Sequence, residues 1–154
     1  MSESAEALTR IVDERECERL ILEYTHLVDF GRAPEIADLF TTDGVWRSDD
    51  LVMDSQDEIR AGFQRRQGVT RRQSRHVCTN IVVNIEGDQA TALSYLVNYR
   101  YDSPTGQAEV PSPSGAPKYV GEYRDAFVRT ELGWRFKDRY FQLAFVRPAA
   151  ITST

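Results

Sequence analysis

The sequence predicts an α+β domain in which helices come first and a meander of long antiparallel strands follows. Three observations carry this prediction. Apolar residues recur at helical spacing from Cys17 to Val28. After Arg72 the composition turns to alternating Val, Ile, Tyr and Phe. Short turns at Gly87-Asp88 and Glu131-Leu132-Gly133 then separate runs long enough to pair as strands.

Asp13-Glu14-Arg15-Glu16 has the form of a capping box, with Val12 and Cys17 placed as a hydrophobic staple, so the first helix is expected to open there. Cys17, Leu20, Ile21, Tyr24, Leu27 and Val28 form its apolar face, and Gly31 ends it. Pro34 suits the first turn of a short second helix with Ile36, Leu39 and Phe40 on its apolar side. The Asp43-Gly44 turn leads into a strand through Val45-Trp46. A second capping box, Ser55-Gln56-Asp57-Glu58, opens a third helix that turns Ile59 and Phe63 inward.

Four strands follow, His76 to Ile85, Ala90 to Tyr101, Tyr119 to Thr130 and Gly133 to Val146. Regular alternation along the first of them places Val77, Ile81 and Val83 opposite His76 and Asn80. The order is α-α-β-α-β-β-β-β. Between positions 102 and 118, Pro104, Pro111, Pro113 and Pro117 with two glycines exclude regular structure, and the stretch is either a lid or a disordered segment.

With 154 residues, 41% of them hydrophobic and 28% charged, the chain is expected to be a single domain with a core over about 8–147. A net charge of −5 argues against a general nucleic-acid surface or binding to an anionic membrane. The basic clusters Arg65-Arg66, Arg71-Arg72 and Arg75 are interrupted by Gln and Gly and read as a solvated surface rather than a phosphate site. Cys17 and Cys78 sit inside apolar patterns without CxxC spacing, as buried free thiols would. Residues 1–10 carry acidic groups and lack the apolar core of a signal peptide, and no apolar run approaches the roughly 20 residues of a membrane span. A cytoplasmic location is expected.

His76 and Asp29 are the residues with the most chemistry to offer. A histidine oriented by a carboxylate is a general base that works near neutral pH. The other histidine, His26, falls on the polar side of the first helix. Asp29 lies about 120° from the centre of that helix's apolar arc, which by itself describes a helix-end surface acid. Spacing alone does not join it to His76.

The strands add a second clue. Leu93, Tyr95, Val97, Tyr99 and Tyr101 share one face, opposite Ser94, Leu96, Asn98 and Arg100, and the next strand aligns Tyr119, Tyr123 and Phe127. Such rows either line an aromatic-walled cavity or form a core or dimer face. Tyr99 and Tyr123 are the candidate ligand contacts among them.

Tyr24-x4-Asp29 near the end of the first helix, Leu39-Phe40 followed by Asp43-Gly44-Val45-Trp46, and His76-x-x-Thr79-Asn80 opening the sheet resemble the SnoaL-like branch of the nuclear transport factor 2-like superfamily. The likeness extends over about residues 8–147. Within that branch the pattern is similar to the Asp–His dyad lyases: scytalone dehydratase, bile-acid 7α-dehydratase and hexachlorocyclohexane dehydrochlorinase. The resemblance implies a cone-shaped, curved antiparallel sheet that encloses a pocket with three N-terminal helices. It also implies His76 as base, Asp29 as its orienting carboxylate, Tyr24 as a hydrogen-bond donor to substrate and Trp46 as pocket wall. Asn80 joins the substrate contacts as part of the His-x-x-Thr-Asn string, and Arg129 falls in a neighbourhood where the dehydrochlorinase carries basic residues. The second histidine used by scytalone dehydratase has no counterpart here.

The activity implied is a cofactor-independent elimination, of the dehydratase or dehydrohalogenase type, on a small hydrophobic cyclic or aromatic molecule. No cofactor or metal is expected, and two histidines without a cluster of carboxylates make poor metal ligands. Both sheet faces are partly apolar, so one would serve the pocket and the other a homodimer or homotrimer. The same superfamily holds ketosteroid-isomerase-like isomerases, polyketide cyclases and non-catalytic ligand-binding or dioxygenase β-type subunits, which are the alternatives.

Overall fold

The computed structural model describes residues 2–149. Helix α1 runs from Glu3 to Asp29 and a 3-10 helix from Ala33 to Leu39. Strands β1 (Phe40–Ser48) and β2 (Val52–Met53) precede helix α2 (Gln56–Gln67). Strands β3 (Arg72–Glu86), β4 (Gln89–Asp102), β5 (Tyr119–Thr130) and β6 (Gly133–Val146) complete the chain. The six strands form one curved, unclosed sheet in the order β2-β1-β6-β5-β4-β3, and only the β1–β6 pair is parallel. The helices cover the inner face: α1 packs on β3, β6 and the 3-10 helix, and α2 packs on the 3-10 helix and β1.

The first helix opens eleven residues before its expected start. Its N-cap is Ser2, whose hydroxyl accepts from the Ala5 N–H at 3.3 Å, with Glu3 and Glu6 in the first turn where the helix dipole favours them. Asp13 is therefore no cap. It lies buried in mid-helix, accepting two bonds from Arg129 at 2.9 and 2.8 Å and one from the Trp134 indole at 3.0 Å. Those partners come from the last hairpin, which no local pattern around Asp13 reveals. Hydrogen bonds from Arg129 hold the Asp13 carboxyl below its ordinary value.

Gly31 ends α1 as expected. Its φ of +78° lets the Arg32 N–H close on the Leu27 carbonyl at 2.9 Å. At the start of α2, Ser55 accepts from the Glu58 N–H at 3.2 Å. The return bond of the box is displaced by one residue, because the Glu58 carboxylate accepts from the Asp54 N–H at 3.1 Å. Ile59 and Phe63 are buried under α2 as expected.

Asn80 changes the reading of β3. It has a φ of +52°, and the β3–β4 register slips between Thr79 and Val82. Asparagine tolerates this left-handed conformation better than most side chains, and the extra residue makes a β-bulge. Before the bulge Ser74, His76 and Cys78 turn to the helices; after it Ile81, Val83 and Ile85 do. The expectation that Ile81 and Val83 lie opposite His76 is therefore wrong, while Val77 does face outward, 42% exposed.

On β4 the inner face is Ala90, Ala92, Ser94, Leu96 and Asn98, all buried. The tyrosine row is the outer face, with Tyr95 and Tyr99 about half exposed. The proline-rich stretch has no helix or strand between Ser103 and Lys118, but backbone bonds tie it to Arg71, Thr70 and Asn98. Among the described residues no helix is long and apolar enough to cross a membrane. Cys17 and Cys78 are free thiols, and burial pushes them up to about 12 and about 11 respectively.

Candidate active site

Asp29 is the last residue of α1, placed where the helix end meets the start of β3. One carboxylate oxygen, Oδ2, accepts the backbone N–H of His76 at 2.7 Å. The other, Oδ1, lies 2.6 Å from the His76 ring Nδ1 and accepts the Ser74 hydroxyl at 3.1 Å. Its side chain is 4% exposed. A carboxylate can only accept, so in the neutral imidazole the proton sits on Nδ1 and Nε2 carries the lone pair. Ser74 in turn accepts from Arg66 Nη2 at 2.9 Å, extending the chain of bonds to the end of α2.

His76 lines a cavity of about 200 Å³ between the helices and the inner sheet face. Its apolar wall comprises Tyr24, Trp46, Phe63, Tyr119, Tyr123 and Phe141. The Trp46 indole donates to the Tyr24 hydroxyl oxygen at 3.0 Å, and the Tyr123 hydroxyl is the second hydrogen-bond neighbour of that phenol. The Tyr24 ring meets Phe63 and Tyr123 edge-on at 5.7 and 5.9 Å. Burial pushes both phenols above their ordinary values, so they remain donors. Asn98 and Ser74 supply neutral polar groups to the wall.

Under the two tyrosines lies Arg139, fully buried. Its guanidinium sits 3.7 Å from the Tyr123 ring centroid and 4.3 Å from that of Tyr24. Nη1 is 3.3 Å from Oδ2 of buried Asp125, directly across the β5–β6 ladder. Burial pushes the Asp125 carboxyl up to about 7, against the pull of Arg139. In the sequence this pair shows only as Asp125 on the same strand face as Tyr123 and Phe127, a carboxylate in an otherwise apolar row.

The structure brings Tyr24, Asp29, Trp46, His76 and Tyr123 together and leaves three expected contacts outside. Tyr99 is on the outer sheet face, in a separate hollow under residues Val110–Ala116. Asn80 is exposed because its backbone is spent on the bulge. Arg129 is committed to Asp13 and Asp88 and stacks over Trp134 at 4.5 Å, away from the cavity. Two arginines read as solvated, Arg66 and Arg72, do line the cavity, together with Arg100. Among the described residues no group of three His, Cys, Asp or Glu side chains gathers as a metal site.

Residues 9–140 match the family described as the SnoaL-like domain. No curated protein matches the chain. Among solved structures, a protein from Novosphingobium aromaticivorans described as nuclear transport factor 2-like with a cystatin-like fold is 26% identical. That comparison covers 90% of this chain and 86% of the other, with a TM-score of 0.77. A second protein from the same organism, assigned as a scytalone dehydratase, is 21% identical over 96% of this chain and 94% of its own, with a TM-score of 0.78. LinA, a dehydrochlorinase, is 13% identical over 96% and 97%, with a TM-score of 0.76. The last two likenesses speak to the fold.

Proposed function

Since the chain belongs to the SnoaL-like domain family, whose fold hosts several chemistries, we propose from its site that it is a cofactor-independent lyase of a small, largely hydrophobic cyclic or aromatic molecule. One observation carries the reading. Asp29 holds His76 by both its backbone N–H and its ring Nδ1, leaving Nε2 as the free base on a largely apolar cavity.

In the reaction, Nε2 takes a proton from a carbon made acidic by a neighbouring carbonyl or leaving group. The electron pair left behind forms a double bond as the bond to the leaving group breaks: a halide departs as the anion, and a hydroxyl departs as water once the His76 imidazolium returns its proton to the leaving oxygen. Asp29 stabilises the imidazolium that results, as the carboxylate of a serine-protease triad does. A placed base supplies about 10² to 10⁴ in rate. Tyr24, which lines the cavity, donates its phenol proton to developing negative charge, and the aromatic wall excludes water.

The test is mass spectrometry of products from a panel of cyclic hydroxy- and halo-carbonyl compounds, with His76→Ala as control. Elimination lowers the mass by water or hydrogen halide. Products of unchanged mass would replace this reading by isomerisation or cyclisation at the same base. Turnover by a folded His76→Ala protein would overturn the assignment of the base.

The outer sheet face bears on assembly. Val77, Tyr95 and Tyr99 sit on neighbouring strands there, each 42–49% exposed, and a homodimer or homotrimer would cover them. Light scattering at micromolar concentration tests this, since a mass of 17.6 kDa would mean a monomer.

A further inference from the structure

Three guanidinium groups border the cavity that His76 faces, and they come from three different elements. Arg66 is in the last turn of α2, Arg72 begins β3 and Arg100 is near the end of β4. One carboxylate, Asp102, serves two of them. It accepts from Arg72 at 2.7 Å and from Arg100 at 2.9 Å. Partial burial works against the Asp102 charge, yet these bonds hold it well below the ordinary carboxylate range.

Arg66 has no such partner. Its hydrogen bond goes to the neutral hydroxyl of Ser74, and among the described residues it forms no ion pair. The nearby charge of Asp29 is already engaged by His76 and Ser74. The border thus holds three positive charges against two negative ones, in a chain whose overall charge is −5. General basicity does not account for it. Burial, and then the like charges of Arg72 and Arg100, press Arg66 below its ordinary value, as expected for a cation without a counter-charge.

We propose that the cavity takes an anionic small molecule, a ring-bearing carboxylic acid, whose carboxylate is held by Arg66 beside Arg72 and Arg100. This deepens the lyase reading and rests on it for the identity of the cavity as the reaction site. Arginine suits the task because its planar fork meets both oxygens of a carboxylate. The apolar body of the ligand then lies along Trp46, Phe63 and Phe141, and the charged end fixes its direction in the pocket.

The experiment measures binding without turnover. Benzoate and its neutral isostere benzamide are titrated into wild-type protein and Arg66→Gln, followed by calorimetry and by the change in tryptophan emission, to which Trp46 in the cavity wall and buried Trp134 both contribute. Benzoate is expected to bind wild type at least about tenfold tighter than benzamide, and to weaken as salt rises. In Arg66→Gln the preference should shrink to about threefold or less. Equal binding of the two ligands, no benzoate binding at millimolar concentration, or a preference that survives Arg66→Gln would each overturn the proposal. The wild-type comparison of ligands stands even if Arg66→Gln fails to fold. None of these outcomes depends on catalysis, so the charge preference and the lyase reading fail or stand separately.

Discussion

Asp29 grips His76 twice: Oδ2 accepts its backbone N–H at 2.7 Å and Oδ1 faces its ring Nδ1 at 2.6 Å. The first contact pins the start of β3 to the end of α1, and the second sets the tautomer of the base. One side chain therefore couples a fold contact to the chemistry. Asn in its place cannot accept at both ends, because its amide nitrogen would confront an N–H. Asp29→Asn should lower kcat by about 10² to 10⁴ and destabilise the fold by about 1–3 kcal/mol. Steady-state rates and thermal melts check both. A variant with near wild-type turnover would remove Asp29 from the mechanism.

Tyr24 and Trp46 are expected to act as a pair. Tyr24→Phe removes the donor aimed at developing charge and should cost about 2–4 kcal/mol of transition-state stabilisation. Trp46→Phe keeps the phenol but removes the bond that orients it. It should cost less in kcat, and the double variant should be no worse than about the Tyr24→Phe enzyme alone. Additive losses would mean that the two residues act independently.

The bulge at Asn80 is a fold feature on which the site depends, since it lets Ser74, His76, Ile81 and Val83 share one face. Asn80→Gly should be neutral within about 0.5 kcal/mol, because glycine accepts the left-handed backbone at little cost. Asn80→Val should lose about 1–3 kcal/mol, since a β-branched residue there is strained. Equal melting temperatures for the two variants would show that the backbone is free to relax.

Element order was legible in the sequence because helical periodicity, strand alternation and turn residues are local signals. What escaped it was non-local. Asp13 looks like a cap until Arg129 and Trp134 arrive from the last hairpin. Tyr99 looks like a ligand contact until the helices choose the other face of β4. Asn80 gives no warning that it will reverse the parity of β3. For the site, the wheel position of Asp29 pointed to solvent, and its proximity to His76 came only from the family pattern around them. The arginines reversed the other way, because composition cannot tell a solvated cluster from three side chains converging on one cavity.

The buried Asp125–Arg139 pair yields the last prediction, a pH dependence of stability with a definite sign. Burial raises the Asp125 carboxyl from an ordinary value near 3.8 to about 7 in the folded chain. Below about 4 both folded and unfolded chains keep the proton, and the group costs nothing. Between about 4 and 7 the unfolded chain releases the proton while the folded one holds it, so stability falls as pH rises. Above 7 both are ionised and the loss levels off. Asp125→Asn removes this linkage while keeping a hydrogen-bond acceptor for Arg139. Its melting temperature, measured relative to wild type, should therefore rise steadily from pH 4 to pH 7 and then become flat. Any constant offset reports the altered contact with Arg139, and the slope reports the carboxyl. A slope of the opposite sign would mean that the attraction of Arg139 outweighs burial and that the pair is ionised throughout.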